Sequence, residues 1–264
     1  WPVPPRFLAQ PIPVEYRTVM RPARPARRLL LVMRHDLRPT WKVEARRALA
    51  HGLNRAAILT SLGPRGAQPA NTWLTGGEPA ELPRRDGAAV REWLARGKFG
   101  RSLHASMAYA ADGVGSETAR AMQTEWAEAG LDVELRPLRP AAMAAEMLGR
   151  GGAPMLLLET QAPFEDAVSE LGTLVQPRNL PPVGGFRTGW SSAEFDRWLG
   201  PQPPQAPLDI AYAQRRLGEE LVTLPLARLP WLWVERPGGA WLGLHPRLGP
   251  GVGWSGPAAV ASSR

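Results

Sequence analysis

A chain of 264 residues with 44% hydrophobic side chains can bury one large core or two small ones. Its 27 glycines and 29 prolines predict long, punctuated loops without reaching the level of a disordered tract. It has no cysteine, which excludes disulfides and thiolate metal sites. The net charge of +8 rests on arginine, Lys42 and Lys98 being the two lysines; the densest cluster, Arg21 to Arg28, is broken by prolines and carries no aromatic residue, which argues against nucleic-acid binding.

No apolar run approaches the roughly 20 residues that span a bilayer. The chain starts at Trp1 without a charged-then-apolar leader, which reads as a leader already removed or as a fragment. Trp1–Pro25 is rich in proline, has little periodicity, and reads as an extended segment. Leu29–Met33 is a short buried strand. Thr40 can cap a helix over Val43–Leu62 with Ala45, Leu49, Gly52, Ala56 and Leu59 on one face. Gly63–Pro83 is a loop with strong turn signals. Asp86 caps a helix that turns Val90, Trp93 and Leu94 inward and stops at Gly97.

The stretch from Arg101 to Glu159 alternates two periods. Leu103, Ala105, Met107 and Tyr109 recur every second residue, as in a strand with one buried face. A helix over Glu117–Ala129 follows, with Ala119, Met122, Trp126 and Ala129 on one face, Ser116 as its cap and Gly130 as its left-handed stop. Leu131, Val133 and Leu135 return to period two. Pro140 suits the first turn of a helix presenting Met143, Ala144, Met147 and Leu148, which Gly151 and Gly152 break. Met155–Leu158 is a short apolar run of the kind a covered sheet uses. The order β-α-β-α-β implies parallel strands with right-handed crossovers.

Ala162–Gly189 reads as mostly irregular, with a short helix at Glu165–Leu171. Ser191-x-x-Glu194 matches a capping box that starts a helix with Phe195, Trp198 and Leu199 inward and Gly200 at its end. Pro201–Pro207 is a spacer. Asp209 caps a helix with Ile210, Ala213, Leu217 and Leu221 on one side, ended by Pro225. Leu226–Val234 is strand-like, but Pro230 forces it to an edge or splits it. The tail after Pro237 has no period.

Four pieces in order then resemble one family. Arg46-Arg47-Ala48-Leu49, continued by Asn54-Arg55, is similar to a helix of extracellular solute-binding proteins of peptide-type ABC transporters (family 5), with Asn54 where the family pattern has Asp. Glu117–Leu138 resembles the family's helix, glycine, strand segment. Gly189–Asp196 resembles its aromatic helix start. Ala213–Leu217 with Leu224-Pro225-Leu226 resembles its last helix and the following Pro-Leu strand. The resemblance covers Leu29 to Trp233 and is confined to the C-terminal lobe of a two-lobed protein.

The resemblance implies an α/β fold: a periplasmic-binding-protein-like lobe with a mixed, mostly parallel sheet flanked by helices, plus irregular Pro/Gly-rich terminal segments. It divides the chain into an extended crossing segment (1–28), the lobe (29–225), and a C-terminal crossing strand and tail (226–264). It implies a periplasmic or extracellular protein, associated with the membrane through an ABC permease. Such a protein binds a peptide or small solute between this lobe and an N-terminal lobe missing from the chain. It implies no catalysis and no cofactor.

On the residues aligned with the family's ligand-facing loops, Asp166 could receive a peptide amine or simply cap a helix. Trp190 could stack on ligand or pack at a hinge. Gln161 could bond a ligand backbone, Phe164 belongs to the loop after the Met155 strand, and Arg187 could pair with a ligand carboxylate. An aspartate that the resemblance leads one to expect before Met155 is replaced by Ala153-Pro154.

Two alternatives remain open at this stage. One is an NADP-type oxidoreductase domain using Gly113-Val-Gly115-Ser-Glu-Thr118, although the third glycine is Thr118 and Arg136 stands where an acidic residue would hold a ribose. The other is a truncated lobe serving as an interaction module. His35, His51, His104 and His245 lack metal-site spacing, and no Gly-x-Ser-x-Gly elbow occurs.

Overall fold

The computed structural model describes residues 17–21, 27–62, 67–78, 81–111, 115–149, 151–161, 166–175, 186–200 and 207–235. Its centre is β2 (Arg27–Met33), whose sequence Arg-Arg-Leu-Leu-Leu-Val-Met is buried from Arg28 onward. A strand apolar on both faces needs cover on both, and β2 has a paired neighbour on each edge. The six-stranded sheet has the order β3-β7-β2-β6-β4-β5, where β3 is Gln68–Pro69, β4 is His104–Ala110, β5 is Asp132–Leu138, β6 is Met155–Gln161 and β7 is Thr223–Leu229.

The expected β-α-β-α-β unit is present. β4 pairs in parallel with both β5 and β6. The crossovers are α4 (Gly115–Glu128) and α5 (Pro140–Met147). The sheet is mixed, as the resemblance implied, but the balance differs. The pairings β2–β6, β2–β7 and β3–β7 are antiparallel, so three of the five ladders run against the expected majority. β6 and β7, joined through α6 to α8, run in the same direction, and β2, which precedes the whole unit in the chain, lies between them in the opposite sense, so both of its ladders are antiparallel.

The long helix expected over Val43–Leu62 is two helices, α1 (Val43–His51) and α2 (Arg55–Leu62). The break falls where Gly52 lies against the buried side chains of Leu131 and Trp126, so close that an added Cβ would come within 2.8 Å and 3.0 Å of them. Asn54 then restarts the helix, its side-chain oxygen accepting from the Ala57 amide at 3.4 Å. Thr40 does not cap α1, whose N-cap is Lys42. The Thr40 hydroxyl instead donates to the Arg34 carbonyl at 2.6 Å and ties the turn to β2.

Other caps divide in the same way. Asp86 caps α3 (Gly87–Gly97), and Asp209 caps α8 (Ile210–Glu220), each accepting backbone amides as expected. Ser116 lies inside α4 rather than ahead of it. Ser192, not Ser191, is the N-cap of α7 (Ala193–Leu199), and Glu194 accepts the Tyr212 hydroxyl instead of closing a capping box. In α5 the buried side chains are Met143 and Glu146, while Ala144 and Leu148 are exposed. Glu146 turns inward because Arg136 (3.2 Å) and the Ala153 amide (3.1 Å) receive it there.

α8 ends at Glu220 with Leu221 left-handed, five residues before the expected stop at Pro225. Pro225 lies within β7, at a register irregularity opposite Leu29 and Leu30, where a missing amide donor is tolerated. Pro230 splits the strand as expected, leaving β7 before it and β8 (Trp231–Glu235) after it. β8 pairs antiparallel with β1 (Arg17–Arg21) in a separate two-stranded ladder. The segment boundary read at 225/226 falls inside β7. The Pro201–Pro207 spacer, apart from Pro207, and the tail after Pro237 lie outside the described residues.

Candidate functional site

The chain places its chemistry at one end of the sheet. β4 and β6 run in the same direction and finish at Ala110 and Gln161. Their crossovers leave to opposite sides, since β4 passes through α4 to β5 on one flank and β6 lies on the other. Open α/β sheets bind ligands at such a reversal, outside the carboxyl ends of the strands. β2, antiparallel to β6, begins at this same end, with Arg27 opposite Gln161. β7 finishes there too, with Leu229 opposite Arg27. The chain therefore enters from β1 and leaves to β8 at the end where β4 and β6 finish.

Polar side chains fasten this end. Arg27 ion-pairs with Glu159 of β6 and donates to the Pro230 carbonyl at 3.2 Å, joining β2, β6 and the β7–β8 junction. Asp166 is the N-cap of α6 (Ala167–Leu174) and accepts from the Ser169 amide at 2.8 Å. Glu170, one turn on, is 1% exposed. It pairs with buried Arg28 at 2.8 Å and accepts the Thr75 hydroxyl at 2.7 Å, as well as the Thr75 amide. Arg28 also donates to the Trp73 carbonyl. Burial pulls the Arg28 pKa below its ordinary value, and Glu170 opposes that pull. The network holds α6, and so Asp166, against β2 and the 67–78 segment.

The structure separates the residues that the sequence grouped. Gln161 and Asp166 lie at this end of the sheet. Phe164 is outside the described residues. Arg187 and Trp190 are at the opposite end. The Arg187 amide donates to the Met147 carbonyl at 2.6 Å, and the Thr188 carbonyl accepts from the His35 amide at 2.8 Å, beside the start of β6. Six residues of strand, about 20 Å, separate the two ends of β6. Arg187 is exposed there. Trp190 is half-buried and packs on His35 (6.3 Å between centroids) and edge-on to Phe195 (5.6 Å), which meets Tyr212 in turn. That is a packing role. Gly189 sits between them at φ 71°, where a Cβ would strike Asp36 at 2.6 Å.

Sequence reasoning missed Arg27, Glu159, Arg28 and Glu170. Arg28 lay in a cluster weighed only for nucleic-acid binding, and a strand's side-chain period does not show that a charge near its start meets a carboxylate more than a hundred residues away. Among the described residues no group of three or more His, Asp or Glu is arranged to hold a metal, and no helix is long and apolar enough to cross a membrane. Part of the glycine turn weighed as a dinucleotide site, residues 112–114, lies outside the described residues. α4 begins at Gly115, and Thr118 is buried within it.

Comparison with known proteins bears on the family and the fold. Residues 6–181 match the description "Bacterial extracellular solute-binding proteins, family 5 Middle". No curated protein matches the chain. Among solved structures, it is similar to a dipeptide-binding protein from Pseudoalteromonas sp. SM9913 in complex with Met-Leu, with 16% identity, TM-score 0.75, and coverage of 91% of this chain and 49% of that one. It is also similar to the ABC transporter substrate-binding protein CtaP from Listeria monocytogenes, with 17% identity, TM-score 0.74, and 91% and 51% coverage. A third is NikA from Brucella suis in complex with Fe(III)-EDTA, with 17% identity, TM-score 0.68, and 92% and 53% coverage. The chain thus spans about half the length of each.

Proposed function

The chain belongs to the family 5 bacterial extracellular solute-binding proteins, and from that premise we propose that it contributes one lobe of the substrate-binding component of an ABC importer for peptides or related solutes. The ligand lies in a cleft between this lobe and a second one, and no reaction is catalysed. The reading is supported above all by one feature: β2 starts and β7 finishes at the same end of the sheet as the carboxyl ends of β4 and β6, and the strands before and after them in the chain, β1 and β8, pair with each other. A second lobe reached through those strands would face Gln161 and Asp166. Asp166 is therefore the ligand-facing group proposed for this lobe, Gln161 and Phe164 are proposed beside it on the resemblance alone, and Arg187 and Trp190 serve surface and packing roles.

Trapping a solute between two lobes works through differential affinity. A ligand shifts the open–closed equilibrium only as far as it gains contacts in the closed form. This lobe alone supplies only one side of those contacts. In a titration of the chain with a mixed peptide library followed by NMR, weak saturable shifts should gather at Ala110, Gln161 and Asp166, and calorimetry should find no submicromolar binding. Shifts gathered at Arg187 and Trp190 would overturn the assignment of the site. Tight binding would overturn the need for a second lobe. The membrane permease and a periplasmic or extracellular location belong to the same proposal.

A further inference from the structure

The seam between α1 and α3 carries a row of cations stacked on rings. The Arg38 guanidinium lies 4.7 Å from the Trp41 ring centroid. The Lys42 ammonium lies 5.2 Å from the Phe99 ring and donates to the Gly97 carbonyl at 2.9 Å. Arg47 and Arg96 both lie over Trp93, at 5.5 Å and 4.8 Å. Lys42, the N-cap of α1, reaches the end of α3 through that bond, and Trp41 and Arg38 lie directly before it in the chain. Lys98, the left-handed C-cap of α3, and Arg101 just after it are both exposed. Against these cations stand Glu44 and Glu92, and Glu92 is already paired with Arg96 at 2.5 Å.

Two further observations set this face apart. The chain's two lysines, Lys42 and Lys98, both lie in it, although arginine supplies every other basic side chain. Trp41, 48% exposed, is the most exposed large hydrophobic side chain among the described residues. Stacking holds each ring-bound cation in place while leaving charge directed outward. An indole beside such cations suits the headgroup layer of a bilayer, where an apolar body and a wet edge are both accommodated. Compact lysine ammonium groups and arginine forks both meet lipid phosphates.

We propose that this α1–α3 face docks on an anionic phospholipid bilayer, with Trp41 entering the headgroup layer and Lys42, Arg96, Lys98 and Arg101 facing lipid phosphates. The proposal goes beyond ligand binding and does not depend on it. The test is flotation of the full chain with phosphatidylcholine vesicles, with and without phosphatidylglycerol. Binding should require phosphatidylglycerol and weaken with added salt. Combined Arg96→Glu, Lys98→Glu and Arg101→Glu should lower partitioning on the order of a hundredfold. The same charge change placed elsewhere, at Arg120, Arg139 and Arg197, should lower it far less.

Brominated lipid should quench part of the tryptophan emission, and Trp41→Phe should lose that part. The Trp41→Phe and Lys98→Gln variants, both at exposed positions, keep the test open if the triple variant misfolds. Equal loss from the two triple variants would show that overall charge, not this face, drives binding and would overturn the proposal. So would absent flotation, or preferential retention on a polyglutamate matrix, which would assign the face to an acidic protein.

Discussion

His35 lies two residues past the end of β2, among groups drawn from several elements. The Arg46 guanidinium of α1, Asp36, the Trp190 ring and the backbone at Leu221 all face it. Burial first, and then the Arg46 charge, hold its pKa down to about 3, against the pull of Asp36. An unfolded histidine protonates as pH falls through 6.5, whereas the folded one stays neutral until about 3. The unfolded state therefore binds the extra proton across that window, and stability present above pH 6.5 declines as the solution is acidified. Urea unfolding at pH 7 and pH 5 should show wild type losing roughly 2 kcal/mol more than His35→Gln. Equal losses would mean that the imidazole is protonated in the fold.

Gly52 is the other position where one atom matters. Its φ is ordinary, at −74°, so an alanine is not strained by the backbone. The obstacle is the Leu131 and Trp126 side chains, and Trp126 is fixed by its indole N–H donating to the Leu49 carbonyl at 2.9 Å. Gly52→Ala should cost about 1–3 kcal/mol by overpacking, read as a lower urea midpoint. The family-like motif around it turns out to be scaffold. Arg46 holds the Glu220, Thr40 and Trp41 carbonyls, and Asn54 restarts a helix. A motif can thus reveal the family while none of its residues touches the site.

Among the elements, α6 matters most to the proposed site, and the Arg28–Glu170 pair is what fastens it. Removing one member leaves the other charged and buried. Glu170→Leu should cost roughly 3–5 kcal/mol, and adding Arg28→Met should recover much of that loss. Denaturation of the two variants checks the pair; a double variant no better than the single would show that the Thr75 and Trp73 bonds dominate. Strands β2, β4, β5 and β6 were legible because apolar period and run length report burial. Their neighbours were not, since period carries no information on which distant strand lies alongside or in which direction. The same holds at helix ends. Aspartates 86, 166 and 209 cap as read or as weighed, whereas Thr40, Ser116 and Ser191 were overruled by better partners or by where the turn closes.

At the scale of the molecule, the fold class was legible and the assembly of the site was not. The α/β order and the split at Pro230 follow from local chemistry. The separation of Trp190 from Asp166 does not, because it depends on which end of β6 the chain returns to after α6. The β1–β8 ladder has a mechanical consequence. Thr18 lies opposite Val234 and Val19 opposite Trp233, so neither strand can bend without carrying the other. β2 and β7 are themselves hydrogen-bonded neighbours. β8 joins β7 across Pro230 alone, so a pull on the ladder is delivered to β7 and, through its hydrogen bonds, to β2 beside it.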